Sequence, residues 1–281
     1  MHKISRREFL KYSLAMAADS FLPQIEVPIL AYHNVSEKTD RFGYTVTPRE
    51  FRKHMETLWK EGYTPESIDN FVWGEMQSWG KKFIVTFDDA YPGQLMVDDN
   101  GEIERECAYG ILKEIYGEKA NAAFFVCFDK NGSAFGSPGK EKYILNLILD
   151  EGSCVGHHTY SHRFLNTLGY EEVEREIRMA DEKFAELLGP RAAAVKIFCY
   201  PGGEFPKDKR GMDIIRKRFV GAVRTRRNYA VSPAPYPPGR YLFEIPRIGM
   251  YTGKRGERAL NKIIRGLYDP LSPSIPPRLR E

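Results

Sequence analysis

"FIVTFDDAYPGQ", residues 83 to 94, runs a series of apolar and β-branched residues directly into two adjacent carboxylates, Asp88 and Asp89. The run reads as a buried strand. Side chains alternate faces along a strand, so neighbouring carboxylates inside one point to opposite sides. They converge only if the strand has ended and the chain is turning, and Ala90-Tyr91-Pro92-Gly93 supplies a turn. A lone Asp here would read as an Asx-turn or a helix cap. Two in succession repel unless a cation neutralises them, so the pair predicts a metal at the end of a buried strand.

Outward from this stretch, apolar strand-like runs alternate with amphipathic helices. "VPILAYHNV" (27–35), "KFIVTF" (82–87), "NAAFFVCF" (121–128), "SCVGHH", "AAVKIFCYPGG", "FVGAVRT" and "YLFEIPRIGM" read as strands. "TPREFRKHMETLWKEGY" opens with Thr47, Pro48 and Glu50, a capping box with proline at the first helical position. Phe51, Met55 and Leu58 recur there at helical spacing, and Gly62 closes the helix, with His54 expected on its surface. Further helices are expected over 103–117, "KEKYILNLILDEG" and 207–218. In "YEEVEREIRMADEKFAELLG", Val173, Ile177, Ala180, Phe184 and Leu187 share one face. Repeated β-α units with continuous apolar strands predict parallel strands covered by helices. No Gly-rich phosphate loop is present, and about seven such units point to a barrel of parallel strands rather than a dinucleotide-binding fold. Catalytic groups in such folds collect where strands stop.

The chain has 281 residues, 42% of them hydrophobic, ample for a core; 42 basic and 38 acidic residues leave +4, too weak and dispersed for nucleic acid. No apolar run approaches the ~18 residues of a membrane span. Cys107, Cys127, Cys154 and Cys199 lack metal-ligand spacing and read as buried thiols, with a disulfide open if the protein is exported. "SRREFLK", Ser5 to Lys11, resembles a twin-arginine export signal; a short apolar stretch interrupted by Asp19 follows. The chain therefore divides into an export segment at 1–22, a catalytic domain at 23–268 and a Pro-rich basic tail at 269–281. "VDDNGEIE" (97–104) falls short of a calcium loop, and Asn100-Gly101 reads as a hairpin turn in a loop beside the carboxylates.

"GHHTYSH" (156–162) also follows a strand. His158 and His162 are spaced i, i+4, so one helical turn would put both imidazoles on one face, with His157 opposite. Asp89, His158 and His162 would make a three-ligand set of the kind a catalytic zinc uses.

"TFDD", "AAFFV", "GHHTYSH" and "FCYPGG" resemble, in order and spacing, the polysaccharide deacetylase family, carbohydrate esterase family four. "VPILAYHNV" and "VTPREFRKHMETLWKEGY" are similar to the lead-in of its exopolysaccharide-deacetylase-like bacterial branch. The resemblance spans roughly residues 26 to 250. It implies a distorted (β/α) barrel with a divalent metal, Zn first and Co, Ni or Mn as alternatives. The implied activity is removal of N-acetyl groups from an N-acetylglucosamine polymer of the cell wall or the extracellular space. An O-acetyl esterase acting on a polymer such as xylan, and a non-catalytic glycan-binding module, are the other readings. Asp88 matches the base that deprotonates a metal-activated water, Asp89 the carboxylate ligand, and His158 and His162 the histidine ligands. Gly202, with Tyr200 beside it, matches the oxyanion segment.

The sequence departs from the pattern twice. Cys199 stands where many relatives carry an arginine that orients the base, and Arg247 in "EIPRIGM" is the candidate to replace it. Many relatives also carry a late histidine that protonates the leaving amine, yet this chain has none after His162. His33, at the end of "VPILAYH", is the expected general acid.

Overall fold

The computed structural model describes residues 27–76, 80–130, 132–225 and 240–266. The export segment expected at 1–22 and the tail expected at 269–281 lie outside the described residues. The strands are β1 (Ile29–Tyr32), β2 (Asn34–Val35), β3 (Thr45–Val46), β4 (Tyr63–Pro65), β5 (Lys81–Asp88), β6 (Ala123–Val126), β7 (Cys154–His157), β8 (Ile197–Cys199), β9 (Gly221–Thr225) and β10 (Ile245–Gly249). The helices are α1 (Pro48–Lys60), α2 (Ile68–Trp73), α3 (Ala108–Tyr116), α4 (Glu141–Asp150), α5 (Tyr170–Leu188), α6 (Lys209–Arg218) and α7 (Lys254–Ile264).

Seven strands, β1 and β5 to β10, pair in parallel in chain order, and β1 closes the ring by pairing with both β10 and β5. β5 makes closure possible through its length. Along one edge its first residues pair with β4, Tyr63 opposite Lys81, and its later ones with β1, Ile29 opposite Ile84. The expected barrel of parallel strands is the observed fold.

The strand period sorts the side chains into two layers. On β5, Phe83, Val85 and Phe87 face outward into a core shared with Phe51, Met55 and Leu58 of α1 and with α3. Ile84 faces the barrel interior with Ile29, Ala123, Phe125, Ile197, Val223 and Ile245. Ile68, Phe71 and Val72 of α2 join that inner cluster. Burying each large side chain contributes roughly 1.5–3 kcal/mol. The apolar filling leaves the inward positions at the carboxyl ends of the strands for polar groups.

The capping box at α1 forms as expected: Thr47 accepts from the Glu50 amide, and Glu50 accepts from the Thr47 amide. His54, expected on the surface of α1, is instead buried, and its Nδ1 shares a hydrogen bond with the Tyr32 hydroxyl at 3.0 Å. Its position between Phe51 and Leu58 puts it on the apolar face. His157 is buried among Phe184, Phe198 and Phe219. All four cysteines are free and buried. Among the described residues, no helix is long and apolar enough to cross a membrane.

Candidate active site

Asp88 is the last residue of β5 and, like Ile84 and Thr86 before it, faces inward. Asp89 follows with φ 75° and Ala90 with φ 50°. The left-handed turn begins at Asp89 itself, which lets the second carboxylate join the first instead of continuing to the outer face. Among the described residues five non-glycine positions have positive φ, and Asp89, Ala90, Thr159 and His162 are four of them. Backbone strain of about 1–3 kcal/mol per residue is thus concentrated in two loops at one end of the barrel.

The two carboxylates have separate partners. Asp88 is gripped by Arg247 from β10, with Nη1 to Oδ1 and Nη2 to Oδ2 both 2.7 Å. The Arg247 guanidinium also donates to Thr86 Oγ1 at 2.8 Å and to Cys199 Sγ at 3.0 Å, and it is 1% exposed. Burial pushes the Asp88 carboxyl up, but Arg247 outweighs it and holds the group down to about 2. Cys199, at the end of β8, packs against the guanidinium that arrives from β10.

Asp89 faces the histidines. Its Oδ1 lies 3.3 Å from His158 Nε2 and 3.0 Å from His162 Nε2. Burial raises its pKa, but hydrogen bonding to His158 and His162 wins, and the carboxyl sits well below the usual range. The ligand atoms of Asp89, His158 and His162 all lie within 4.8 Å of one another. His158 donates from Nδ1 to the Cys199 carbonyl at 2.8 Å, which leaves Nε2 as the atom turned to the carboxylate. Burial opposes a charged His158, yet Cys199, Asp89 and Asp88 together raise its pKa well above the ordinary value. Two imidazoles and one carboxylate converging this way are a donor set suited to a divalent metal such as zinc. A second cluster, Asp88, His158 and Cys199, is less suited. Asp88 is committed to Arg247, and burial raises the Cys199 thiol away from the thiolate a metal needs.

The His158–His162 pair does not sit on a helical turn, as the i, i+4 spacing suggested. Residues 158–162 form a loop with Thr159 at φ 63° and His162 at φ 60°. Glu176 of α5 holds that loop: it accepts from the Tyr160 and Ser161 amides at 3.2 and 2.9 Å and from Ser161 Oγ at 2.6 Å. Sequence reasoning missed Glu176, although a glutamate beside Ile177 on the apolar face of α5 was a visible signal.

Lys130 was also missed. It follows β6, and its Nζ lies 2.6 Å from Asp89 Oδ2 and 3.4 Å from His162 Nε2. Asp89 therefore offers Oδ1 to the histidines while Lys130 occupies Oδ2. Burial lowers the Lys130 pKa, but Asp89 outweighs it and raises the value.

His33 follows β1 and is half-buried, with its Nδ1 buried and without a hydrogen-bond partner. Gln94 ties its carbonyl to the site by donating from Nε2 to both His33 O and Asp88 O. Burial lowers the His33 pKa, opposed by Asp89 and Asp88. Gly202 takes φ 61°, is exposed, and lies beside the Phe164 ring that neighbours His162. Tyr200 does not join the site. Its amide donates to Val223 O, its hydroxyl reaches Met212, and its ring packs on Phe198 and Phe205 in the outer layer. The 97–104 segment bridges Val97 to Ile103 and packs Gly101 on Tyr143 of α4, so its contacts run to the helical layer rather than to the carboxylates expected beside it.

Comparison with known proteins agrees with this geometry. The polysaccharide deacetylase family model matches residues 77–213, which hold Asp88, Asp89, His158, His162 and Gly202. No curated protein matches the sequence. Solved structures with the same fold include the deacetylase PplD of Streptococcus pyogenes in complex with acetate (19% identity, 86% of this chain and 99% of that one, TM-score 0.66). IcaB from Ammonifex degensii is similar at 20% identity over 83% of this chain and 95% of that one, TM-score 0.60. A polysaccharide deacetylase from Bacillus cereus is similar at 20% identity over 85% and 69%, TM-score 0.63. Residues 77–213 match the polysaccharide deacetylase family model, and the barrel has the fold of solved polysaccharide deacetylases.

Proposed function

We propose that the protein is a metal-dependent hydrolase that removes N-acetyl groups from an N-acetylglucosamine-containing polysaccharide outside the cytoplasm. The observation that carries this reading is the division of partners between two adjacent carboxylates. Asp88 is paired with a guanidinium, and Asp89 with two imidazoles. Glycan binding alone requires neither arrangement.

Asp89 Oδ1, His158 Nε2 and His162 Nε2 would hold the metal. A divalent metal there supplies Lewis-acid polarisation of the acetyl carbonyl and makes water acidic enough to lose a proton near neutral pH. That contribution is needed, because a carboxylate held near 2 is a weak base toward ordinary water. Asp88 accepts the proton, and Arg247 keeps it ionised and oriented between turnovers. The Gly202 amide would donate to the oxyanion that forms on the acetyl carbonyl oxygen. His33 donates the proton that lets the amine leave. Export is supported by the Ser5–Lys11 motif alone.

The test is metal content and acetate release together, on chitin oligomers, peptidoglycan and acetylated xylan. Asp88→Asn should keep the metal and lose acetate release. His162→Ala should lose both. Full release by chelated protein would overturn the reading, and release from xylan alone would make the protein an O-acetyl esterase. His33→Ala should cost roughly 10²–10⁴ on the amide and less on an activated aryl acetate, whose phenolate leaves unprotonated. Equal losses would make His33 structural.

A further inference from the structure

Beyond the catalytic groups, an aromatic surface leads outward from His33. The Tyr44 ring lies 4.8 Å from the His33 ring, centre to centre. Tyr251 lies 5.5 Å from Tyr44 on one side, and Phe42 lies 6.4 Å from it on the other. Phe42 is 56% exposed, one of five large hydrophobic side chains left exposed among the described residues. Two guanidiniums cover these rings. Arg41 stands 4.5 Å from the centre of Phe42, and Arg255 stands 3.8 Å from the centre of Tyr251.

The surface is built rather than accidental. It comes from two loops, 36–44 and 250–253, and the first turn of α7, which are laced together. Asp40 accepts from the Phe42 amide at 2.7 Å, and the Thr252 amide donates to Gly43 O at 3.0 Å. Glu50, already part of the α1 capping box, accepts from Thr252 Oγ1 and the Gly253 amide, both 2.8 Å. Among the described residues, neither Arg41 nor Arg255 forms a salt bridge, whereas Arg52, Arg178, Arg191, Arg210 and Arg218 all do. Glu257, the acidic residue nearest along α7, is taken by Lys53. Two guanidiniums are thus held over aromatic faces, next to the reaction centre, without a carboxylate.

We propose that Phe42, Tyr44 and Tyr251 form a subsite on which sugar rings flanking the reactive residue stack, and that Arg41 and Arg255 select a glycan bearing carboxylates. This deepens the deacetylase reading and rests on it. Sugar rings present apolar C–H faces that pack on aromatic rings. A planar guanidinium pairs with a carboxylate through two parallel hydrogen bonds while remaining stacked on the ring beneath it. A neutral polymer would use the rings and leave both cations unanswered.

The experiment compares two probes of equal length by calorimetry at low ionic strength, using metal-loaded Asp88→Asn to prevent turnover. One is chitohexaose, which is neutral. The other is a hyaluronan hexasaccharide, in which every second sugar is a uronic acid. The acidic probe should bind about tenfold tighter, and Arg41→Gln with Arg255→Gln should remove that advantage while changing chitohexaose binding by no more than about twofold. Phe42→Ala should weaken both probes by roughly 2–10-fold. Equal binding of the two probes, or an advantage that survives the double arginine substitution, overturns the proposal. Wild-type acetate release is measured in parallel. Release from chitohexaose with no preference in binding sinks the subsite and leaves the deacetylase reading standing. No release from any acetylated glycan, with an arginine-dependent preference intact, sinks the deacetylase reading and leaves the subsite.

Discussion

Replacing Arg247 with Met removes one charge of a buried pair while keeping much of the side-chain volume. Arg247 makes two 2.7 Å bonds to Asp88 and is 1% exposed, and Asp88 is 4% exposed. No water can take the guanidinium's place without opening the barrel. Breaking one side of such a pair costs about 3–5 kcal/mol, because the remaining charge stays buried. For a domain of this size that corresponds to roughly 6–20 °C in Tm. Asp88→Asn in the same chain removes the stranded charge, so the double variant should recover at least about 2 kcal/mol relative to Arg247→Met alone. The pH dependence gives a second arm. In the wild type the Asp88 pKa is depressed to about 2. Its contribution, on the order of 2–3 kcal/mol, is fully present above the unfolded value near 4 and is lost as pH falls toward 2. In Arg247→Met the Asp88 pKa moves above the unfolded value, and protonation then relieves the buried charge. The stability gap between variant and wild type should therefore close as the pH is lowered. Urea unfolding followed by circular dichroism at several pH values measures all of this. A single variant within 1 kcal/mol of wild type, or a double variant no better than Arg247→Met, would refute the account.

Lys130→Met should tighten divalent metal binding at least about tenfold, because a cation 2.6 Å from Asp89 Oδ2 opposes a second one at Oδ1; competition with a chelating dye reads this, and weaker binding would make Lys130 the residue that orients the carboxylate. His54 is buried with its pKa lowered to about 4, chiefly by burial. Its unfolded form takes a proton near 6.5, so stability should fall by about 3 kcal/mol as pH drops from 6.5 to 4, and a His54→Gln variant should show a flatter profile over that window. Gly156→Ala would place a methyl 2.4 Å from the Phe125 ring, which lies under Arg247, so overpacking should cost about 1–3 kcal/mol by thermal melting; an unchanged melting temperature would mean the ring yields freely.

The carboxylate pair, the second motif and the strand-helix alternation were legible because each is local. Asp88 and Asp89 follow an apolar run, and any turn that joins them must break the strand period. The partner of Asp88 was only half legible. Arg247 stood in a strand-like segment, but its inward orientation depends on the register of β10 within the closed ring. The path from His158 to His162 was not legible, since Thr159 and His162 take positive φ, which residue type does not announce, in a loop that Glu176 holds through Tyr160 and Ser161. His54 and Glu176 were readable signals that went unused, both on helix faces already marked as apolar. Lys130 passed the same strand-end criterion that singled out Asp88, yet a single lysine in a loop is ordinary in a sequence.

The ring closes through its two most distant strands, with Leu30 of β1 opposite Ile248 of β10. This fixes an order of assembly during synthesis. Every candidate metal ligand has emerged once the chain reaches His162, but Arg247, the partner of Asp88, arrives only with β10. A nascent chain that stops short of Ile245 carries Asp88 with no guanidinium to face, and it leaves the edges of β1 and β9 open to pair with other chains. Neither defect can be repaired locally, so half-made barrels are targets for proteolysis and aggregation rather than partly active enzyme. Strand-end geometry thereby makes the pairing of Asp88 with Arg247 coincide with completion of the fold.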